Sequence, residues 1–148
     1  MTSGMKNVIK NNLPLIIWKP EYDLGIHIID EQHRGIVTVI NCLFYEMQKK
    51  QGEGVLMPIF KIINEYSRIH FKIEEEFLEK FDFPDAIPHR ALHDELIDKT
   101  SNVGKKSILN QDPYQFMDFL KIWWVDHICG KDRSFRDYLL ERSLIEEA

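Results

Sequence analysis

Ionisable side chains recur in this chain at positions where a helix would be expected to bury hydrocarbon. His33; His70 with Glu74; His89 with His93; and His127 with Asp132 fall on four separate apolar stripes. The first stripe runs Ile29, His33, Ile36/Val37, Ile40, Leu43/Phe44 and Met47 at the three- and four-residue steps of an amphipathic helix. Asp30 suits its first turn, because an acid there meets the positive end of the helix dipole, and the stripe stops in Lys49-Lys50-Gln51-Gly52. The second stripe reads Val55, Ile59, Ile62/Ile63, Tyr66, Ile69/His70, Ile73/Glu74 and Phe77, with Pro58 assigned to its first turn and Asp82-Phe83-Pro84-Asp85 as its break. The third carries Ile87, His89, Leu92/His93, Leu96 and Thr100, begins around Pro88 and fades near Gly104. The fourth runs from about Pro113 through Phe116, Phe119/Leu120 and Trp123 to His127/Ile128, with Gly130 as its expected end.

Four helices joined by short polar loops predict an all-α fold, an antiparallel up-down-up-down four-helix bundle in a single domain of 148 residues. Residues 1–25 read as an N-terminal arm, 26–132 as the bundle core and 133–148 as a short C-terminal helix. A chain of this length can bury a core without disulfide staples. Its two cysteines, Cys42 and Cys129, are far apart and suggest no secreted framework, so a cytoplasmic location is expected. The net charge of −5 disfavours a nucleic-acid partner, and no apolar run is long enough for a bilayer span or a signal segment.

Residues four apart project from one helical face, so His70/Glu74 and His89/His93 each present two donors in the same direction. His127 and Asp132 are five apart, which on a regular helix points them away from each other; a break at Gly130 would turn Asp132 back. Taken singly, each piece has an ordinary reading: a satisfied core histidine, or a hydrogen-bonded pair. Taken together, seven buried ionisable groups without a shared partner would each cost roughly 1–3 kcal/mol or more, against a total stability of about 5–15 kcal/mol. A common metal ligand resolves that cost. Imidazole suits Zn, Cu, Fe and Ni, carboxylates are hard oxygen donors, and no thiolate lies within any of the spaced pairs. If both carboxylates bridge two octahedral irons together with a solvent-derived oxygen, six positions remain for five imidazoles, and one iron keeps an open site. Among the neighbours, Glu75 and Glu76 read as a solvated acidic edge, His27 as a surface or arm residue and Cys129 as a small packing residue.

The runs Asp30-Glu31-Gln32-His33, His70-Phe71-x-x-Glu74-Glu75, His89-x-x-x-His93 and Trp123-x-x-x-His127-Ile128-x-x-x-Asp132 resemble the hemerythrin family in its bacterial form, over the span from about Trp18 to Asp132. That resemblance implies an oxo- or hydroxo-bridged pair of iron ions. By carry-over, His89, His93 and His127 would complete one iron, His33 and His70 would bind the iron that keeps the vacancy, and Glu74 and Asp132 would bridge. It further implies reversible O2 binding for storage, carriage or delivery, with O2 held as hydroperoxide at the open iron and no catalytic side chain, so no enzyme is expected. Ile36, Phe71, Trp124 and Ile128 would wall the O2 pocket. The family usually has Leu where Trp124 stands, and a bulkier indole there is expected to alter O2 kinetics. Small ligands other than O2, such as NO or small anions, fit the same vacancy, and the alternative function is a sensor of O2, NO or redox state acting on a separate protein partner. Ferritin-like oxidases and di-iron oxygenases favour Glu-x-x-His pairs, which this chain lacks, and seven ligands exceed what a structural zinc needs.

Overall fold

The computed structural model describes residues 14–49 and 52–145, and of the side chain of Trp123, placed on the fourth stripe above, nothing is described. The remainder of the expected arm, residues 1–13, and the last three residues of the expected C-terminal helix lie outside the described residues. The helices are α1 (His27–Gln48), α2 (Gly52–Lys80), α3 (Ala86–Leu109), α4 (Pro113–Phe119) and α5 (Asp132–Glu141), and no strand occurs among the described residues. A short 3-10 turn, Pro20–Tyr22, precedes them. α1 packs on α2, α2 on α3, α3 on α4, and α4 back on α1, which closes the bundle.

Chain direction follows from two apolar clusters. One contains Ile36, Ile40, Leu43, Ile63, Phe71, Leu96, Phe116 and Trp124. The other contains Leu24, Ile29, Leu78, Phe83, Phe135 and Leu139. α1 runs from Ile29 through His33 to Ile40, so it travels from the second cluster to the first; α2 returns from Ile63 through His70 and Glu74 to Leu78. α3 goes out again from Phe83 past His89 and His93 to Leu96, and the last helical stretch comes back from Trp124 past His127 and Asp132 to Phe135. The result is the up-down-up-down bundle, with its ionisable side chains in a layer between two apolar plugs.

The helix ends have local causes. Asp82 and Gln111 take positive φ angles of 51° and 52° just past α2 and α3. After α2 the N–H of Phe83 donates to the Leu78 carbonyl and that of Asp82 to Glu79, and after α3 Asp112 bonds Ser107 and Gln111 bonds Ile108; both are the paired closing bonds of a Schellman end. Asp112 then caps α4 by accepting from the Tyr114 N–H at 3.1 Å, with Pro113 in the first turn, where no donor is needed. At the other end of the bundle, Asp30 reaches back from α1 to accept the N–H groups of Leu24 and Gly25, so it anchors the approach to the helix as well as lying in its first turn.

Four expectations need correction. Pro58 lies inside α2, seven residues into a helix that begins at Gly52, rather than in the first turn. Gly104 does not end α3, which runs on to Leu109; a Cβ at this glycine would overlap the ring carbons of Phe60, so the residue permits a close approach between helices. Ile62, Ile69 and Ile87 are exposed, and the buried faces are Leu56, Ile59, Ile63, Ser67, His70, Phe71, Glu74 and Leu78 on α2, and His89, His93, Leu96, Thr100, Gly104 and Ser107 on α3. Finally, Gly130 is no break. The chain continues without interruption from α4 to α5 through two π-helical turns, Leu120–Trp124 and His127–Lys131.

Candidate metal centre

The second π-helical turn solves the five-residue spacing. The backbone N–H of Asp132 donates to the carbonyl of His127, an i to i+5 bond that widens the helix by one residue and brings both side chains to the same face. His33 from α1, His70 and Glu74 from α2, and His89 and His93 from α3 face the same interior, and all seven side chains are buried. The imidazoles turn their Nε2 atoms inwards: His33 and His70 approach to 3.0 Å, and His93 and His127 to 3.2 Å.

Each carboxylate divides its oxygens between two sets of nitrogens. Glu74 offers Oε1 to His89 at 2.8 Å and to His93 at 3.7 Å, and Oε2 to His70 at 3.2 Å. Asp132 offers Oδ1 to His89 at 3.0 Å and to His127 at 3.2 Å, and Oδ2 to His33 at 3.1 Å. Two donor groups follow, one of Glu74, His89, His93, His127 and Asp132, the other of His33, His70 and Glu74, with the atoms of each within 4.8 Å of one another. With Asp132 Oδ2 added to the smaller group, the two sides hold five and four donor atoms. Glu74 Oε2 and both oxygens of Asp132 are buried without a hydrogen bond, although imidazole nitrogens lie beside them. Orphaned carboxylate oxygens that converge with ring nitrogens are what a pair of bridged cations would satisfy, so the residues fit a two-metal group.

The electrostatics agree. Burial works against charge throughout the layer, yet Glu74 is held down to about 2, because burial and the neighbouring Asp132 are outweighed by His70 and His89. Asp132 is likewise held well below the usual carboxylate range, with His127, His33 and His89 overcoming its desolvation. His89 is lifted to about 10: burial opposes its charge, and Asp132 and Glu74 override it. His33 moves up against its burial for the same reason, through Asp132. His93 falls to about 3 and His70 also falls, both dominated by desolvation. A metal-free layer therefore holds two anionic carboxylates against the same imidazoles that would bind metal, with His89 carrying a proton at neutral pH.

Comparison with known proteins fits this geometry. The sequence model described as the hemerythrin HHE cation binding domain matches residues 24–139. This chain belongs to the hemerythrin family. It is 32% identical over 130 residues to the bacteriohemerythrin of Clostridium acetobutylicum, covering 83% of this chain and all of that protein. It is 27% identical to the bacteriohemerythrin of Stenotrophomonas maltophilia over 84% of this chain and 82% of the relative. The hemerythrin-like protein of Naegleria gruberi is 25% identical over 82% of this chain and 92% of its own length.

The four residues expected to wall a pocket in this hemerythrin site, Ile36, Phe71, Trp124 and Ile128, are all buried. Phe71 stacks on the His93 ring at 4.0 Å between centroids and on Trp124 at 5.4 Å, nearly parallel to both. The Trp124 indole N–H is buried without a partner. Two residues that orient ligands escaped the sequence reading. Gln32 accepts through its Oε1 from the protonated Nδ1 of His70 at 2.8 Å, since a carbonyl-type oxygen can only be satisfied by the donating ring nitrogen. Glu75, expected on a solvated edge, is half-buried, with Oε1 3.0 Å from His93 Nδ1. The signal was there: each sits one residue from a ligand in its own helix, where a side chain can reach across to the next helix. Glu76 and His27 are exposed, as the sequence reading has them, and Cys129 is half-buried with no disulfide. Among the described residues no helix is long and apolar enough to cross a membrane.

Proposed function

We propose that this protein binds dioxygen reversibly at a di-iron centre held by His33, His70, Glu74, His89, His93, His127 and Asp132. The observation that carries the reading is the unequal donor set: Glu74, His89, His93, His127 and Asp132 converge on one side, and His33, His70 and Glu74 on the other, where Asp132 Oδ2 beside His33 would make a fourth donor. A single shared solvent oxygen would fill the first position to six and leave the second one short, which is the vacancy a diatomic ligand needs. A ferrous pair, when bound, supplies dioxygen with two electrons and recovers them on release.

The chain's own residues do the rest. Five imidazoles would hold the metals through Nε2, and Glu74 and Asp132, whose oxygens face both sets of nitrogens, would be shared between them. Gln32 and Glu75 hold two of the rings by their far nitrogens, which fixes tautomer and orientation. Ile36, Phe71, Trp124 and Ile128 are buried, Phe71 lies on the His93 ring with Trp124 stacked behind it, and such apolar side chains would exclude water from the layer. The test is metal content together with the visible spectrum of the reduced protein before and after air exposure. Two irons per chain and an oxygen-dependent charge-transfer band that disappears on deoxygenation are expected; a metal-free or single-zinc protein would overturn the reading.

A further inference from the structure

The two halves of the site differ in what holds the back of their histidines. On the side with three imidazoles, His93 Nδ1 faces a carboxylate, Glu75 Oε1, at 3.0 Å. On the side with two, His70 Nδ1 faces a neutral amide oxygen, Gln32 Oε1, at 2.8 Å. Glu75 is held in place by Arg90, whose Nε lies 3.5 Å from the other carboxylate oxygen, and Arg90 also reaches Glu79 at 3.7 Å. A ring N–H that donates to an anion makes its opposite nitrogen a stronger electron donor than one that donates to an amide.

We infer that Glu75 is a positioning residue that makes the two metal positions electronically unequal, so that the iron held by His89, His93 and His127 gives up its electron before the iron held by His33 and His70. The inference rests on the di-iron reading above. It assigns a role to a pairing of charge and amide: Glu75 through His93 stabilises the ferric state on one side, and Gln32 through His70 leaves the other side ferrous to higher potential. Outer partners of metal-bound histidines change metal affinity by about 10–100-fold. A tenfold preference for ferric over ferrous iron corresponds to about 59 mV in a one-electron couple.

The experiment is mediated redox titration of the iron-loaded protein, with each electron passing between the centre and a one-electron mediator, in the wild type, Glu75→Gln, Gln32→Glu and Glu79→Gln. The wild type should show two separated one-electron steps. Glu75→Gln should raise the first step and Gln32→Glu should lower the second, each by a tenfold or larger change in the ferric/ferrous ratio, so that the steps converge from opposite directions. Glu79→Gln removes a charge that shares Arg90 without touching His93, and should move neither step. In the zinc-loaded protein, the ring N–H proton of His93 should resonate far downfield and move upfield in Glu75→Gln alone, whatever the iron chemistry. Unseparated steps in the wild type, an unchanged first step in Glu75→Gln, or an equal shift in Glu79→Gln would overturn the inference. Absence of two irons per chain in the wild type would instead overturn the di-iron reading itself.

Discussion

Gly130→Ala distinguishes two ways of delivering Asp132 to the site. If the chain stopped its helix at Gly130 and turned back, the glycine would take a left-handed conformation, and alanine there would destabilise the fold by more than it gained from a stiffer unfolded chain. The structure has the helix pass through. Among the described residues Gly25 is the only glycine with positive φ, Gly130 is exposed, and beyond its chain neighbours and its own helix backbone nothing lies within 4 Å of the place its Cβ would occupy. Alanine therefore meets no clash and removes glycine's excess freedom, a gain of roughly 0.5–1 kcal/mol. For a chain of this size that raises the melting temperature by about 1–4 °C. Gly104→Ala is the internal contrast: the same propensity gain applies, but its Cβ falls on the Phe60 ring, and overpacking of about 1–3 kcal/mol should leave that variant less stable. Thermal melts of the metal-free protein followed by helical circular dichroism measure both, and iron content after reloading checks that Asp132 still reaches the site. A lower melting temperature for Gly130→Ala, or loss of metal from it, would restore the helix end at Gly130 and refute the continuous π-turn.

Metal-free protein should be most stable near pH 6.5. His89, raised from 6.5 to about 10, contributes stability that is complete below 6.5 and lost as pH climbs towards 10; Glu74, lowered from 4.5 to about 2, and His93, lowered from 6.5 to about 3, contribute stability lost as pH falls through those ranges. Urea midpoints across pH 4 to pH 10 (roughly the span of these shifts) would test this, and a midpoint that rises from neutral into alkaline pH would contradict it. Loading metal at neutral pH should release at least one proton, from His89, seen as a buffer-dependent heat in titration calorimetry; a buffer-independent heat would count against it. Trp124→Leu should speed O2 entry, O2 release and autoxidation, measured by stopped flow, while costing less than the roughly 3–5 kcal/mol of a full core truncation, because it also removes an unpartnered indole N–H; unchanged rates would dispose of the idea. Glu74→Ala removes oxygens that face both groups of histidines and should leave at most one metal per chain by elemental analysis, so full loading of this variant would rule out its bridging role.

The bundle was legible because burial imposes a period. α1 shows this best: Ile29, His33, Ile36, Val37, Ile40, Leu43 and Met47 are the buried residues the spacing names. α2 shows the limit, since adjacent isoleucines such as Ile62 and Ile63 both fit an apolar stripe and only packing decides which one turns inwards. α3 hides its face further, because Thr100, Gly104 and Ser107 line it, and Gly104 looks like a terminus until Phe60 is seen pressed against it. The seven polar residues could be read as one cluster from their stripes, and the structure brings all seven together. The route by which Asp132 arrives was not legible: a π-turn is one extra residue in a helix, with no composition of its own. Gln32 and Glu75 were missed for a related reason, since their role depends on which neighbouring helix lies across from them.

Charge explains why this layer needs both its apolar plugs and its metals. Glu74 and Asp132 stay anionic while fully buried, which the metal-free chain sustains by a proton on His89 and by an upward pull on His33 against its burial. Two divalent cations would displace the His89 proton and carry four positive charges against the two carboxylates, so the layer would become cationic. Within hydrogen-bonding reach of a ligand ring, Glu75 is the carboxylate that offsets part of that excess, and Arg90 keeps it at the edge of the layer rather than inside it. The remainder has to be met by anionic solvent or by a small ligand that takes on negative charge when it binds. A site built this way favours ligands that can accept electrons, because a neutral, inert guest would leave its excess charge standing in a dry interior.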